Sequence, residues 1–213
     1  DKVLEYPDSK FSTEAMGMSA DIAYKGKDYP KALGLYKRMA DRALSQEERL
    51  QAETGALRSA WMANDQTEIV TTASALLAQS KLAPELENEA RYYRAKALLA
   101  TGKATEALAD LTVLAKDTRN VYGAEAKYLV AQIYFDAGET EKAEKEVLAY
   151  IEVSTPHAYW LARSFVLLSD VYVKLDRKLD AKQYLLSLQQ NYHADDDIEQ
   201  MIETRLAKLN SVN

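Results

Sequence analysis

Five short stretches recur along this chain at an almost constant interval: "GKDYPKA", "NDQTEI", "TGKATEA", "AGETEKA" and "LDRKLDA". Each ends on a small or apolar residue, Ala32, Ile69, Ala107, Ala143 and Ala181, and the intervals between them are 37, 38, 36 and 38 residues. A fixed period of this length constrains the fold strongly, because it means one supersecondary unit stacked repeatedly. Four and seven residues beyond each of these positions stand further apolar side chains: Tyr36 and Met39, Ala73 and Leu76, Leu111 and Leu114, Val147 and Tyr150, Leu185 and Leu188. That is the stripe of an amphipathic helix burying one face. The segment before each turn has its own stripe, clearest in "AKYLVAQIYFDAG", where Tyr128, Ala131, Ile133, Tyr134 and Phe135 alternate with polar residues. Each repeat therefore reads as helix, turn, helix.

The breaks have local causes. Gly102 and Gly138 suit the left-handed conformation that ends a helix, while Glu139 and Glu141 put negative charge at the positive end of the next one. Pro7, Pro84 and Pro156 mark repeat boundaries, since proline starts a helix readily and stops the one before it. With only 7 Gly and 4 Pro among 213 residues, the rest of the chain has few interruptions, and Ala, Leu, Glu, Lys and Gln favour helix throughout. Strand-like alternation is nearly absent; "IVTTASALLA" comes closest and runs on into an Ala/Leu helical period. Near the C-terminus, "HADDDIEQMIETRLAKL" reads as a last helix. Ile198, Met201, Ile202, Leu206 and Leu209 lie on its face, and Asp195, Asp196 and Asp197 stand at its N-terminus, where carboxylates are favoured without any metal. The organisation expected is a tail of a preceding repeat over 1–10, five repeats forming one solenoid over 11–192, and a capping helix and tail over 193–213.

Several function classes are disfavoured. A net charge of −6 with a pI near 5.1 and no basic stripe argues against nucleic acid as a partner. Zero cysteines exclude disulfides, thiolate zinc sites and cysteine nucleophiles together. No apolar run approaches the length of a membrane span. The two histidines, His157 and His193, have no local partner at ligand spacing, and "GKATEA" lacks the upstream glycine and Lys-Ser/Thr pair of a phosphate-binding loop. No catalytic residue, metal ligand or cofactor is assigned, and the chain reads as a non-enzyme. Because it opens on Asp1, it is expected to be processed or excised from a longer protein.

Helix-turn-helix units with a small residue where paired helices touch, glycine at the internal turn and proline at the boundary resemble the tetratricopeptide repeat (TPR) family. "AGETEKAEKEVLAY" and "GKDYPKALGLYKRM" carry the resemblance best. It covers roughly residues 11 to 192, with repeats longer than the family's 34 residues and with Lys127, Val130, Ala131 and Tyr134 at the usual Trp-Leu-Gly-Tyr positions. The resemblance implies an all-α fold, a right-handed α-α superhelix, whose first helices line a concave groove for a peptide or protein segment. On that pattern the groove residues are Asp21, Tyr24, Arg58, Trp61, Tyr92, Lys96, Tyr128, Gln132, Phe135 and Asp170. The chaperone-binding members' carboxylate clamp of Lys and Asn is absent, since Gly17, Asp21, Thr54 and Arg58 occupy its positions. The long repeats and the "YPDS" boundary resemble bacterial envelope proteins, such as outer-membrane assembly lipoproteins and the periplasmic partner of the Tol-Pal system. That resemblance implies the bacterial periplasm or outer membrane rather than the cytoplasm. The alternative role is a structural spacer or self-association segment, through exposed apolar surface on the end repeats.

Overall fold

The computed structural model describes residues 10–211, with side chains from residue 12 onward. Residues 1–9, which include Pro7 and most of the expected tail of a preceding repeat, lie outside the described residues. Within the described range the chain forms eleven helices and no strand. They are α1 (Lys10–Lys25), α2 (Tyr29–Asp41), α3 (Gln46–Met62), α4 (Gln66–Leu77), α5 (Pro84–Ala100), α6 (Ala104–Leu114), α7 (Val121–Asp136), α8 (Thr140–Ile151), α9 (Ala158–Lys174), α10 (Lys178–Asn191) and α11 (Ile198–Ser211). This is an all-α helical-repeat solenoid fold. Packing divides the chain into two compact units, Asp1–Ala107 and Leu108–Asn213. In the first, α1 packs on α2, α2 on α3, α3 on α4 and α4 on α5. In the second, α7 to α11 pack in chain order, and α9 also touches both α7 and α11.

One turn geometry is used five times. A residue with positive φ stands five positions before each of the recurring small or apolar residues: Lys27 at 62°, Asn64 at 54°, Gly102 at 76°, Gly138 at 77° and Asp176 at 58°. The next residue's N–H then donates back across the helix end to a carbonyl five residues earlier. These bonds run from Asp28 to Ala23, Asp65 to Ala60, Lys103 to Leu98, Glu139 to Tyr134 and Arg177 to Tyr172, at 2.8 to 3.1 Å. This Schellman closure satisfies carbonyls that the ending helix would otherwise leave open. In the first repeat the left-handed residue is Lys27, not its neighbour Gly26, and two further repeats also carry a side chain there. A side chain in this conformation costs roughly 1 kcal/mol. Lys27→Gly and Asp176→Gly are therefore each expected to raise stability by about 0.5 kcal/mol, read as a higher urea midpoint, after the extra unfolded-state entropy of glycine is subtracted.

The entry of the following helix is also set locally. The Asp28 and Asp65 carboxylates accept from the backbone N–H of Lys31 and Glu68, capping α2 and α4. At α3, Ser45 caps Glu48 while the Glu48 carboxylate accepts from the Leu44 N–H. Pro84 occupies the first turn of α5, as expected from its position in the sequence.

The recurring residues are the core. Ala32, Ile69, Ala107, Ala143 and Ala181 are buried, as are all ten apolar residues four and seven positions after them. Each large member of that stripe contributes about 2 kcal/mol of burial free energy. Burial also pushes up the phenols of Tyr172 and Tyr192, each to about 12. Tyr36 rises further, through burial and then its hydrogen bond to Asp21. Because the folded values lie above the unfolded value near 10, these tyrosines' contribution is complete below pH 10 and is lost as pH rises toward 12. Urea midpoints are therefore expected to hold to about pH 9.5 and then fall. A flat profile to pH 12 would contradict these burials.

Candidate functional site

In the first unit α1, α3 and α5 bring Asp21, Tyr24 and Arg58 together in a cleft of about 600 Å³. Leu50 and Leu86 supply apolar wall, and Tyr36 and Gly55 also line it. Tyr36 comes from the second helix of the first repeat, and its hydroxyl donates to the Asp21 carboxylate. Gly55 makes room for it, since a Cβ there would stand 2.6 Å from the Tyr36 ring. Arg58 is held by Glu89 of α5 through two bonds, Nε to Oε1 at 2.9 Å and a terminal nitrogen to Oε2 at 2.8 Å. Those bonds outweigh desolvation and raise the guanidinium pKa further.

A second hollow of about 520 Å³ adjoins the first, sharing Asp21 and Gln51. Glu14, Gly17, Met18, Met39 and Glu48 line it. All four positions that correspond to the carboxylate clamp, Gly17, Asp21, Thr54 and Arg58, line one or both hollows.

Trp61, Tyr92 and Lys96 do not line these hollows; they form a separate group on α3 and α5. Trp61 stacks on Tyr93 with ring centroids 4.1 Å apart and planes within 5° of parallel, and Tyr92 lies 6.3 Å from it. The Lys96 ammonium sits 5.8 Å from the Tyr92 ring centre. Trp61 and Tyr93 both pack on the apolar core of the unit. The stack thus ties the second repeat to the third while leaving part of its surface open.

In the second unit the expected residues are drawn into internal contacts. Tyr128 is buried and donates to Gln132, which in turn donates to Asp136. The Arg163 guanidinium lies 5.2 Å from the Tyr128 ring centre and bonds the Tyr159 hydroxyl and the Asp197 carboxylate. Phe135 packs on the core of this unit. Asp170 is clasped by Arg205 of α11 through three contacts of 2.7 to 3.0 Å. Two of the acidic triplet are likewise engaged: Asp196 accepts from the Tyr192 hydroxyl and the Ile198 N–H, and Asp197 accepts from Tyr159. His157 Nε2 lies 3.0 Å from the Arg119 carbonyl oxygen. Among the described residues no three His, Asp or Glu side chains gather as a metal site would require.

Tyr36, Gly55, Glu89, Arg163 and Arg205 were not among the expected groove residues. Tyr36 reads in sequence as core stripe and is both buried and part of the cleft wall. Gly55 did carry a signal, a glycine in mid-helix within "ETGALRSAW", where alanine would suit the helix better.

With that geometry in hand, the fold is recognisable as that of tetratricopeptide-repeat proteins. The solved structure of YrrB, described as a TPR protein with an unusual peptide-binding site, is similar over 97% of this chain and 96% of its own, with a TM-score of 0.65 and 15% identity. The TPR-like repeats of a putative kinesin light chain from Podosopora anserina are similar in a point-substituted form, with TM-score 0.57 and 16% identity over 83% of this chain and 92% of that one. A second structure of those repeats gives a TM-score of 0.55 at 16% identity over 96% of this chain and 98% of that one. No family model and no curated protein sequence matches the chain.

Proposed function

We propose that the chain is a non-catalytic interaction scaffold that holds an extended peptide or protein segment in the groove lined by α1, α3 and α5. The observation that carries this reading is the double hollow around Asp21, which combines apolar wall with polar groups whose geometry is already fixed by Tyr36 and Glu89. A preorganised concave surface binds without incurring the ordering cost again. YrrB, of similar fold, is described as having a peptide-binding site, which supports the reading by analogy of fold. We propose a bacterial-envelope location on the resemblance of its long repeats and "YPDS" boundary; fractionation of source cells tests this, and a cytosolic pool alone would refute it.

The test of the groove is photo-crosslinking in source cells, with a photoreactive residue at Gln51 in the hollows, at Trp61 on the aromatic stack and at Lys142 on α8 as the control. Capture from Gln51 but not from Lys142 is the expected result. Capture from none of the three, with the protein folded, would overturn the groove.

A second reading is self-association, favoured by Ile22 on α1 at 72% exposure and Leu179 on α10 at 81%. It predicts a concentration-dependent dimer in sedimentation that Ile22→Lys or Leu179→Lys abolishes. A monomer at every concentration would dismiss it.

A further inference from the structure

We infer that the occupant of the α1–α3 groove is an extended peptide carrying a lysine or arginine beside an apolar residue, its cation seated between Asp21 and Glu47. This deepens the groove reading and rests on it. Glu14, Asp21, Glu47 and Glu48 all line the two adjoining hollows, against a single cation, Arg58. Arg58 is already neutralised by its paired bonds to Glu89, and no lysine lines either hollow. Glu48 is half-buried and accepts from the Leu44 N–H, whereas Glu14, Asp21 and Glu47 are exposed, and Asp21 gives only one of its two oxygens to Tyr36.

Asp21 is fixed in place by the Tyr36 hydroxyl, so a ligand's cation would meet an oriented carboxylate and not a mobile one. Tyr24 adds a ring against which an ammonium or guanidinium is attracted. The apolar share of the recognition falls to Leu50 and Leu86 in the cleft and to Met18, 59% exposed, at the second hollow. The same charges disfavour an acidic segment or a free C-terminal carboxylate, which would meet like charge at Asp21. The occupant is therefore selected by repulsion as well as by attraction.

The test is selection of a phage-displayed library of random peptides on the intact chain, followed by fluorescence anisotropy with the synthesised winners. Winners are expected to share a Lys or Arg adjacent to a large apolar residue. Their affinity is expected to fall about tenfold or more in the Asp21→Asn, Glu47→Gln variant, and to weaken steadily between about 0.05 and 0.5 M salt. Asn retains an acceptor for the Tyr36 hydroxyl, so circular dichroism and melting of that variant should match the parent. Winners that are uncharged or acidic, or that bind the double variant as well as the parent, would overturn the inference. If crosslinking from Gln51 still captures a segment, the groove reading survives that result. An empty selection together with no capture at Gln51 removes both.

Discussion

Gly123→Ala is expected to destabilise the second unit by about 3 kcal/mol, a fall of roughly 10 °C in melting temperature. An alanine Cβ at this position would collide with the Asp117 carbonyl oxygen and lie 2.6 Å from that of Leu114. These are backbone atoms, and they cannot swing aside as a side chain would. The close approach is built by Asn120, whose side-chain amide donates to the Asp117 carbonyl while its oxygen accepts from the Gly123 N–H. The cap that starts α7 thus draws a carbonyl onto the Cα of Gly123. Gly34→Ala is the matched control, because Gly34 is exposed in mid-α2 and a Cβ there meets nothing within 4 Å. That substitution is expected to stabilise by about 0.5–1 kcal/mol through helix propensity alone. Equal effects at the two glycines, read by urea unfolding, would contradict the geometry at Asn120.

Gly55→Ala is the second large effect, and it links stability to the site. Its Cβ would stand 2.6 to 2.7 Å from three atoms of the Tyr36 ring, a buried ring anchored to Asp21. Moving the ring breaks that anchor and reshapes the cleft floor, so a loss of about 2 kcal/mol is expected together with loss of any ligand held there. Tyr36→Phe keeps the ring and removes only the hydroxyl, and should cost about 1 kcal/mol. If Gly55→Ala left both stability and peptide affinity unchanged, Tyr36 would not be a wall of the site.

The helix pairs were legible in sequence because their signal is periodic and repeats. Ala32, Ile69, Ala107, Ala143 and Ala181, with the residues four and seven beyond them, are buried where the stripe placed them. The turns were legible only in part. Gly102 and Gly138 advertise a left-handed conformation, whereas Lys27, Asn64 and Asp176 adopt it without a glycine because the repeat geometry requires it. For the candidate site, the pattern marks which face of a helix a residue occupies, but not its partner. Tyr36 reaches Asp21 across 15 residues, Arg58 reaches Glu89 across 31, and Arg163 reaches Tyr128 across 35. Such pairs depend on how neighbouring helices are stacked and on which rotamers that stacking leaves open, and neither is written in local periodicity. Tyr128 and Asp170 illustrate the consequence: both lie on first helices as expected, yet Arg163 and Arg205 hold them within the fold.

A partner segment is proposed to lie against the face of α1 and α3 around Asp21. Hydrogen-exchange mass spectrometry of the chain, alone and with the segment captured at Gln51, tests it most directly. Slowed exchange is expected in peptides from α1 and α3, with none in α8. Protection confined to α8 or to α10 around Leu179, or no protection anywhere, would contradict it.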